Sequence, residues 1–187
     1  MRVLVAAASR HGATAEIAET IGGVLSGRLA HVDVVDVDDV DRLGDYDAVV
    51  LESAVYMGHW LKSGAAFAAT HSVELRARPT WLFSSGPVGV PPRPGATEAV
   101  DVTEVVAATG ATEHRLFAGK LDKSRLSFRE RAVMRAVGGH DGDYRESDEI
   151  RAWAEAIATS LNATVNPGGA QPVSAVARPA AAQRVPS

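Results

Sequence analysis

The sequence predicts an α/β protein, a three-layer sandwich with a five-stranded parallel sheet and helices on both faces. Two observations predict it. Short apolar runs alternate with helical patterns over residues 2–161. The first, third and fourth runs end in loops rich in glycine and hydroxyl side chains, at residues 9–14, 53–60 and 84–94. In open parallel sheets ligands sit outside the carboxyl ends of the strands, where the winding reverses. The three loops are therefore expected to meet on one side of the sheet.

The first strand is Arg2 to Ala8, an apolar run closed by polar residues, as in buried parallel strands. The loop Ser9-Arg10-His11-Gly12-Ala13-Thr14 follows it and opens a helix. Ile17, Ile21, Val24 and Leu25 share one face of that helix, with Glu16 and Glu19 on the other. Gly22, Gly23 and Gly27 loosen its second half. Residues 30–37 read as a second strand, whose partial alternation suits a sheet edge. Asp38, Asp39 and Asp41 form an acidic connection to a third strand over residues 47–53. After the second loop, residues 61–75 read as a helix, with Leu61, Ala65, Phe67 and Ala68 apolar. Pro79 precedes a fourth strand over residues 80–83, and the loop after it is too rich in proline and glycine to be regular. A helix over residues 97–109 and a fifth strand over residues 113–119 complete the alternation.

Residues 120–139 are an insertion before the last helix. Lys120, Lys123, Arg125, Arg129, Arg131 and Arg135 outnumber Asp122 and Glu130 there, and Leu126, Val133, Met134 and Val137 can share a helix face. Residues 138–145 break that pattern. Ser147 suits an N-cap and Asp148 and Glu149 a first turn. Ile150, Trp153, Ala154, Ile157 and Leu161 then give an amphipathic helix that packs on the sheet. The domain so defined spans residues 1–161, with 120–145 its basic insertion. Residues 162–187, rich in alanine and proline and free of acids, are expected to be a disordered tail.

Composition excludes several functions. The 187 residues are 46% hydrophobic, enough for one domain with a sizeable core. A net charge of −4 argues against a general nucleic-acid binder. The absence of cysteine excludes disulfides, thiolate nucleophiles and cysteine-ligated zinc or iron–sulfur centres. No apolar run approaches the roughly 20 residues of a membrane span. The run after Arg2 is too short for a signal peptide, and the helix after it is acidic. The expected location is cytoplasmic, with peripheral contact to the inner membrane face left open.

The first loop aims a helix N-terminus at whatever lies above it, and its free N–H groups favour an anion. Ser9 and Thr14 add hydroxyls, and Gly12 lets the backbone approach a ligand. The loop lacks G-x-G-x-x-G and the lysine of a P-loop, so S-x-x-G-x-T suits a single phosphate. A plain turn capped by Ser9 or Thr14 is the alternative. A helix dipole gives a phosphate about 0.3–1 kcal/mol, up to ~2 when partly buried. Tight cofactor binding needs roughly 10–12 kcal/mol, so a larger group must be gripped elsewhere. Tyr56 and Trp60 offer stacking surfaces for a planar ring, and the backbone around Gly58 and Ser84-Ser85-Gly86 can bond its polar edge. Alternatively, Trp60 is a core residue that starts the next helix and Tyr56 a half-buried turn residue.

These segments resemble a known family. S-R-H-G-A-T, S-A-V-Y-M-G-H-W and S-S-G-P resemble the three FMN loops of flavodoxin-like proteins. F-A-G-K-L-D, L-S-F-R-E-R-A-V, G-D-Y-R and I-R-A-W-A resemble the branch containing menaquinone-dependent protoporphyrinogen dehydrogenase. The resemblance covers residues 1–161 and implies a flavodoxin-like strand order of 2-1-3-4-5 and a non-covalent FMN. It places Ser9, Arg10, His11, Gly12, Ala13 and Thr14 at the phosphate. It places Ser53, Ala54, Val55, Tyr56, Met57, Gly58, His59 and Trp60, with Ser84, Ser85, Gly86, Pro87, Val88 and Gly89, beside the isoalloxazine. It implies an FMN-dependent oxidoreductase in which the flavin does the electron chemistry, on a porphyrinogen or with a quinone as acceptor. Two positions depart from the family: Glu52 stands where glycine is frequent, and Ala54 where proline is common. Glu52 either lowers the flavin potential or points into solvent. His11, His59 and His140 are candidates for proton delivery, and each also reads as an ordinary surface histidine.

Other readings compete. The basic insertion is a solvated helix face, or a surface that attracts an acidic substrate or an anionic membrane. The same scaffold serves electron carriers, which are commonly more acidic near the flavin, and it can serve as a cofactor-free binding module. A phospho-receiver domain shares the strand order but needs acids after strand one and an aspartate after strand three. This chain has Ala8-Ser9 and Ser53 there, and only Lys120 fits.

Overall fold

The computed structural model describes residues 1–10, 12–29, 31–56, 58–86, 100–122, 124, 128, 131–132 and 141–165. In chain order these form β1 (Arg2–Ala8), α1 (Ala13–Ser26), β2 (His31–Asp36), β3 (Ala48–Tyr56), β4 (His59–Trp60), α2 (Lys62–Thr70), α3 (Ser72–Arg76) and β5 (Thr80–Ser85). Then follow α4 (Thr103–Thr109), β6 (Glu113–Phe117), β7 (Lys120–Leu121), β8 (Gly142–Asp143) and α5 (Ser147–Val165). The parallel strands run β2-β1-β3-β5-β6, the order expected from the sequence. β1 lies between β2 and β3, with Val5 opposite Val34 on one side and Val50 on the other.

Burial of both faces explains the strands. β1 and β5 are buried from Val3 to Ala8 and from Thr80 to Ser85. On one face Val3, Val5, Val50, Trp81 and Phe83 meet Ile17 and Ile21 of α1 and Trp153 and Ile157 of α5. Phe83, Phe117 and Trp153 pack edge to face there, with ring centroids 5.5–5.6 Å apart. On the other face Leu4, Leu51 and Leu82 meet Phe67, Leu75 and Val105 of α2, α3 and α4. Glycine lets the layers approach. A Cβ on Gly64 would fall 3.0 Å from the Ser53 Cβ and 3.1 Å from the Ala8 Cβ. Gly22 does not loosen α1, which is unbroken; it lets the helix sit against Val34 of β2.

The structure corrects several boundaries. The second strand stops at Asp36, because Val37–Asp39 form a 3-10 turn in which the Asp38 N–H donates to the Asp36 carboxylate. The third strand continues to Tyr56 and turns into β4, with Val55 opposite Trp60 and Tyr56 opposite His59. The helix expected over residues 61–75 is divided at His71 into α2 and α3. β5 reaches Ser85, α4 begins only at Thr103, and β6 ends at Phe117. The insertion opens with β7, which pairs with β8 as a two-stranded antiparallel ribbon. Its Lys123, Arg125, Leu126, Arg129, Glu130, Arg135 and residues 133–140 lie outside the described residues. α5 starts at Ser147 itself and continues through Val165, past the expected boundary at residue 161; residues 166–187 lie outside the described residues.

Candidate functional site

Sheet register brings the three loops together. Ala8 pairs with Ser53 and Ser53 with Ser84, so β1, β3 and β5 leave the sheet side by side at one level. Gly12 (φ +85°), Gly58 (φ +83°) and Gly86 (φ +119°) turn the backbone after them in conformations that favour glycine. Gly58 is tied down by the Asp101 N–H, which donates to its carbonyl at 2.9 Å, and the Gly86 N–H donates to the Phe117 carbonyl. Of the expected site residues, Ser9, Arg10, Gly12, Ala13, Thr14, Ser53, Ala54, Val55, Tyr56, Gly58, His59, Trp60, Ser84, Ser85 and Gly86 lie on these loops and strand ends. His11, Met57, Pro87, Val88 and Gly89, with the proton-delivery candidate His140, lie outside the described residues.

The hydroxyls of Ser9, Thr14 and Ser53 hold the loops in place. The Gly12 N–H donates to Ser9 Oγ at 3.2 Å and the Ala15 N–H at 3.4 Å, so Ser9 is the cap of the turn. Thr14 is buried and shares a 2.7 Å hydroxyl hydrogen bond with Ser85 on β5. Among the described residues, nothing accepts from the N–H groups of Ala13 and Thr14, which open α1. These two backbone N–H groups are thus open at the start of α1. Ser53 Oγ accepts from the Leu61 N–H at 2.9 Å and pins the hairpin.

Trp60 is not a stacking surface. It is 7% exposed, and its indole N–H donates to Ser84 Oγ at 2.7 Å, so the core reading holds. Tyr56, 37% exposed at the tip of β3, is the ring that remains open to a planar ligand. Ser84 Oγ also lies 2.8 Å from His114 Nε2. An indole only donates, so Ser84 accepts from Trp60, and the direction of its hydrogen bond with His114 follows the histidine tautomer. Burial holds His114 below the usual histidine range, which favours its neutral form.

One residue of this region went unrecognised in the sequence, and a second was noticed there without its burial. Arg145, just after β8, donates to the Ala13 carbonyl at 3.3 Å and pairs with Glu16 of α1 at 2.7 Å and with Asp143 at 2.5 Å. The inserted ribbon is thereby fastened to the phosphate end of the loops. Hydrogen bonding to Asp143 raises Arg145 and lowers the Asp143 carboxyl. The other residue is Glu52. It does not point into solvent: it is 0% exposed, and both carboxylate oxygens lack a hydrogen-bond partner among the described residues. It shares the α1 and α5 face of the sheet with Val50. Alternation along β3 was the signal that could have placed it, once the register was known.

A parallel sheet of this order, with loops after β1, β3 and β5 meeting at its carboxyl edge and the first opening a helix, defines a flavodoxin-like mononucleotide-binding protein. The family model of the flavodoxin domain matches residues 4–148, and the chain belongs to that family. No curated protein matches the chain in sequence. Among solved structures, flavodoxin 2 from Bacillus cereus aligns with a TM-score of 0.56 at 19% identity, over 87% of this chain and 99% of that one. A flavodoxin from the domain Archaea gives 0.53 at 18% identity, over 87% and 99%. The rubredoxin oxygen:oxidoreductase of the anaerobe Desulfovibrio gigas gives 0.58 at 13% identity, over 88% of this chain; the chain spans 37% of that protein's length. Identities this low establish the shared fold.

FMN is the cofactor that family membership implies. The residues present fit it. The unspent N–H groups of Ala13 and Thr14 and the left-handed Gly12 suit one phosphate. Tyr56 and the tethered turn at Gly58 suit the ring.

Proposed function

We propose that this chain is an FMN-dependent oxidoreductase that takes electrons from a porphyrinogen-type substrate and passes them to a quinone. FMN, when bound, supplies the redox chemistry, accepting and releasing electrons singly or in pairs. The chain's own residues bind, orient and shield it. Backbone donors at Ala13 and Thr14 hold the phosphate, Tyr56 flanks the ring, and the network of Trp60, Ser84 and His114 fixes the hairpin behind it.

The observation that carries the enzyme reading over a bare carrier is the inserted ribbon. Arg145 fastens β8 to the start of α1, and β7 pairs with β8, so both ends of the basic insertion are held near the first loop. An acidic substrate, or an anionic membrane surface holding the quinone, is the partner that such a segment suits. In a cytoplasmic protein this gives peripheral attachment to the inner membrane face.

The test begins with fluorescence titration of FMN into the cofactor-stripped protein. Quenching that saturates at one FMN per chain, at micromolar affinity or better, is expected. The loaded protein should then oxidise a porphyrinogen only when a quinone is supplied. FMN binding without turnover would leave an electron carrier. No quenching would leave a binding module without the cofactor.

A further inference from the structure

Glu52 is the one buried side chain of the described residues whose polar atoms find no partner. Its position is specific. It pairs in register with Ala7 and Phe83. On that face β5 continues to Ser85, while β1 ends at Ala8 and Ser9 opens the loop just beyond it. Ser9 receives the Gly12 and Ala15 N–H groups, and Ser85 holds Thr14. Glu52 therefore stands one pleat repeat, about 6.6 Å, beneath the layer that shapes the phosphate loop. An acid here has neither solvent nor a cation to accommodate its charge.

We propose that Glu52 is a proton-binding site coupled to the phosphate loop: FMN binds while Glu52 is protonated, and loss of that proton puts a negative charge beneath the loop that expels the phosphate. The proposal rests on FMN as the ligand. Its proton balance is simple. The neutral acid gives one proton to solvent on ionising, and FMN binding takes one back.

The charged groups around this face do not intervene. α1 presents Glu16, paired with Arg145, and the exposed Glu19. α5 presents the exposed Asp148 and Arg151, with Glu149 paired to Arg115 of β6 and Glu155 to Arg28. The edge strand β6 presents Glu113 and Arg115, which pair with each other, and Glu113 also accepts the Trp153 indole N–H. β1 and β5 present only Ala7 and Phe83 beside Glu52. Burial alone raises the Glu52 carboxyl well above its ordinary range, with no charged neighbour contributing.

A unit charge about 10 Å from a phosphate in a partly buried setting changes its affinity on the order of tenfold. FMN and riboflavin, which lacks the phosphate, should be titrated into the apoprotein between about pH 7 and 9, above the second ionisation of the phosphate at about 6. The wild type is expected to lose FMN affinity on the order of tenfold as pH rises, and riboflavin affinity is expected to stay level. In Glu52→Gln the FMN profile should be flat; Glu52→Leu should be flat as well and covers the case in which the amide does not fold. Carboxyl carbon NMR of the apoprotein gives an independent reading: one titration absent from Glu52→Gln, moving to higher pH when FMN is added. Level FMN affinity in the wild type, or the same loss in both variants, overturns the proposal. An absence of FMN quenching at every pH overturns the FMN reading itself, and the proposal with it.

Discussion

Glu52 concentrates the energetic conflict of this chain in one side chain. A polar group taken from water without a compensating hydrogen bond costs about 1–3 kcal/mol on protein scales. The sign of the pH effect follows from its raised folded-state value. Below the ordinary carboxylate range Glu52 is neutral in both folded and unfolded chains and adds no pH dependence. As pH rises through that range the unfolded chain releases the proton and the folded chain keeps it, so the unfolded state is favoured. The loss grows by about 1.4 kcal/mol per pH unit until the folded-state value is reached. Glu52→Leu should therefore be more stable than the wild type in urea unfolding at pH 7.5, by about 1–3 kcal/mol or more. The gap should narrow at pH 4. A gap of constant size would mean that packing around Phe83, rather than ionisation, sets it. Trp60 is the complementary case: the amphipathic ring of the sequence reading is accommodated because Ser84 accepts its one polar atom.

At the scale of elements, sequence periodicity carried most of the reading. α1 and α5 were legible because their buried faces recur at the helical period, and β1 because its continuous apolar run matches a strand buried on both faces. β4 was not: two residues have no period, and its pairing with Val55 and Tyr56 comes from tertiary placement. The break at His71 was hidden for a similar reason, since the apolar pattern continues from α2 through Leu75 of α3. Glycine also has opposite meanings in two helices. Gly23 of α1 is exposed, and a Cβ there meets nothing within 4 Å. Gly23→Ala should raise stability by about 0.5–1 kcal/mol through helix propensity and a less flexible unfolded chain. Gly64 of α2 would drive its Cβ onto two Cβ atoms that cannot rotate away, those of Ser53 and Ala8. Gly64→Ala should lower stability by about 1–3 kcal/mol of overpacking, less the propensity gained. Thermal melts of the two variants should move in opposite directions; a shared upward shift would show that α2 can lift off the sheet freely.

Across the whole molecule, the site is held by contacts that join distant parts of the chain. The three loops and their order were legible, because each follows an apolar run and the parallel topology brings alternate loops to one edge. The fasteners were not, since Thr14 with Ser85 and Arg145 with Glu16 pair residues far apart in sequence with no local signature. Arg145 is the fastener with the clearest consequence for function. It pairs with both Glu16 and Asp143 beside the first loop and binds the Ala13 carbonyl. Arg145→Met keeps the unbranched stem of the side chain and removes the guanidinium and its charge. One positive charge is then lost beside the two carboxylates, and the added repulsion should weaken FMN binding on the order of tenfold at low salt. The pair is partly exposed, so a Debye length near 8 Å at physiological salt should shrink the effect. Riboflavin, with no phosphate to repel, should bind wild type and variant alike. Fluorescence titration of both ligands at low and physiological salt separates these terms. An equal loss for the two ligands would mean that Arg145 shapes the ring site through the inserted ribbon, and that its charge is incidental to the phosphate.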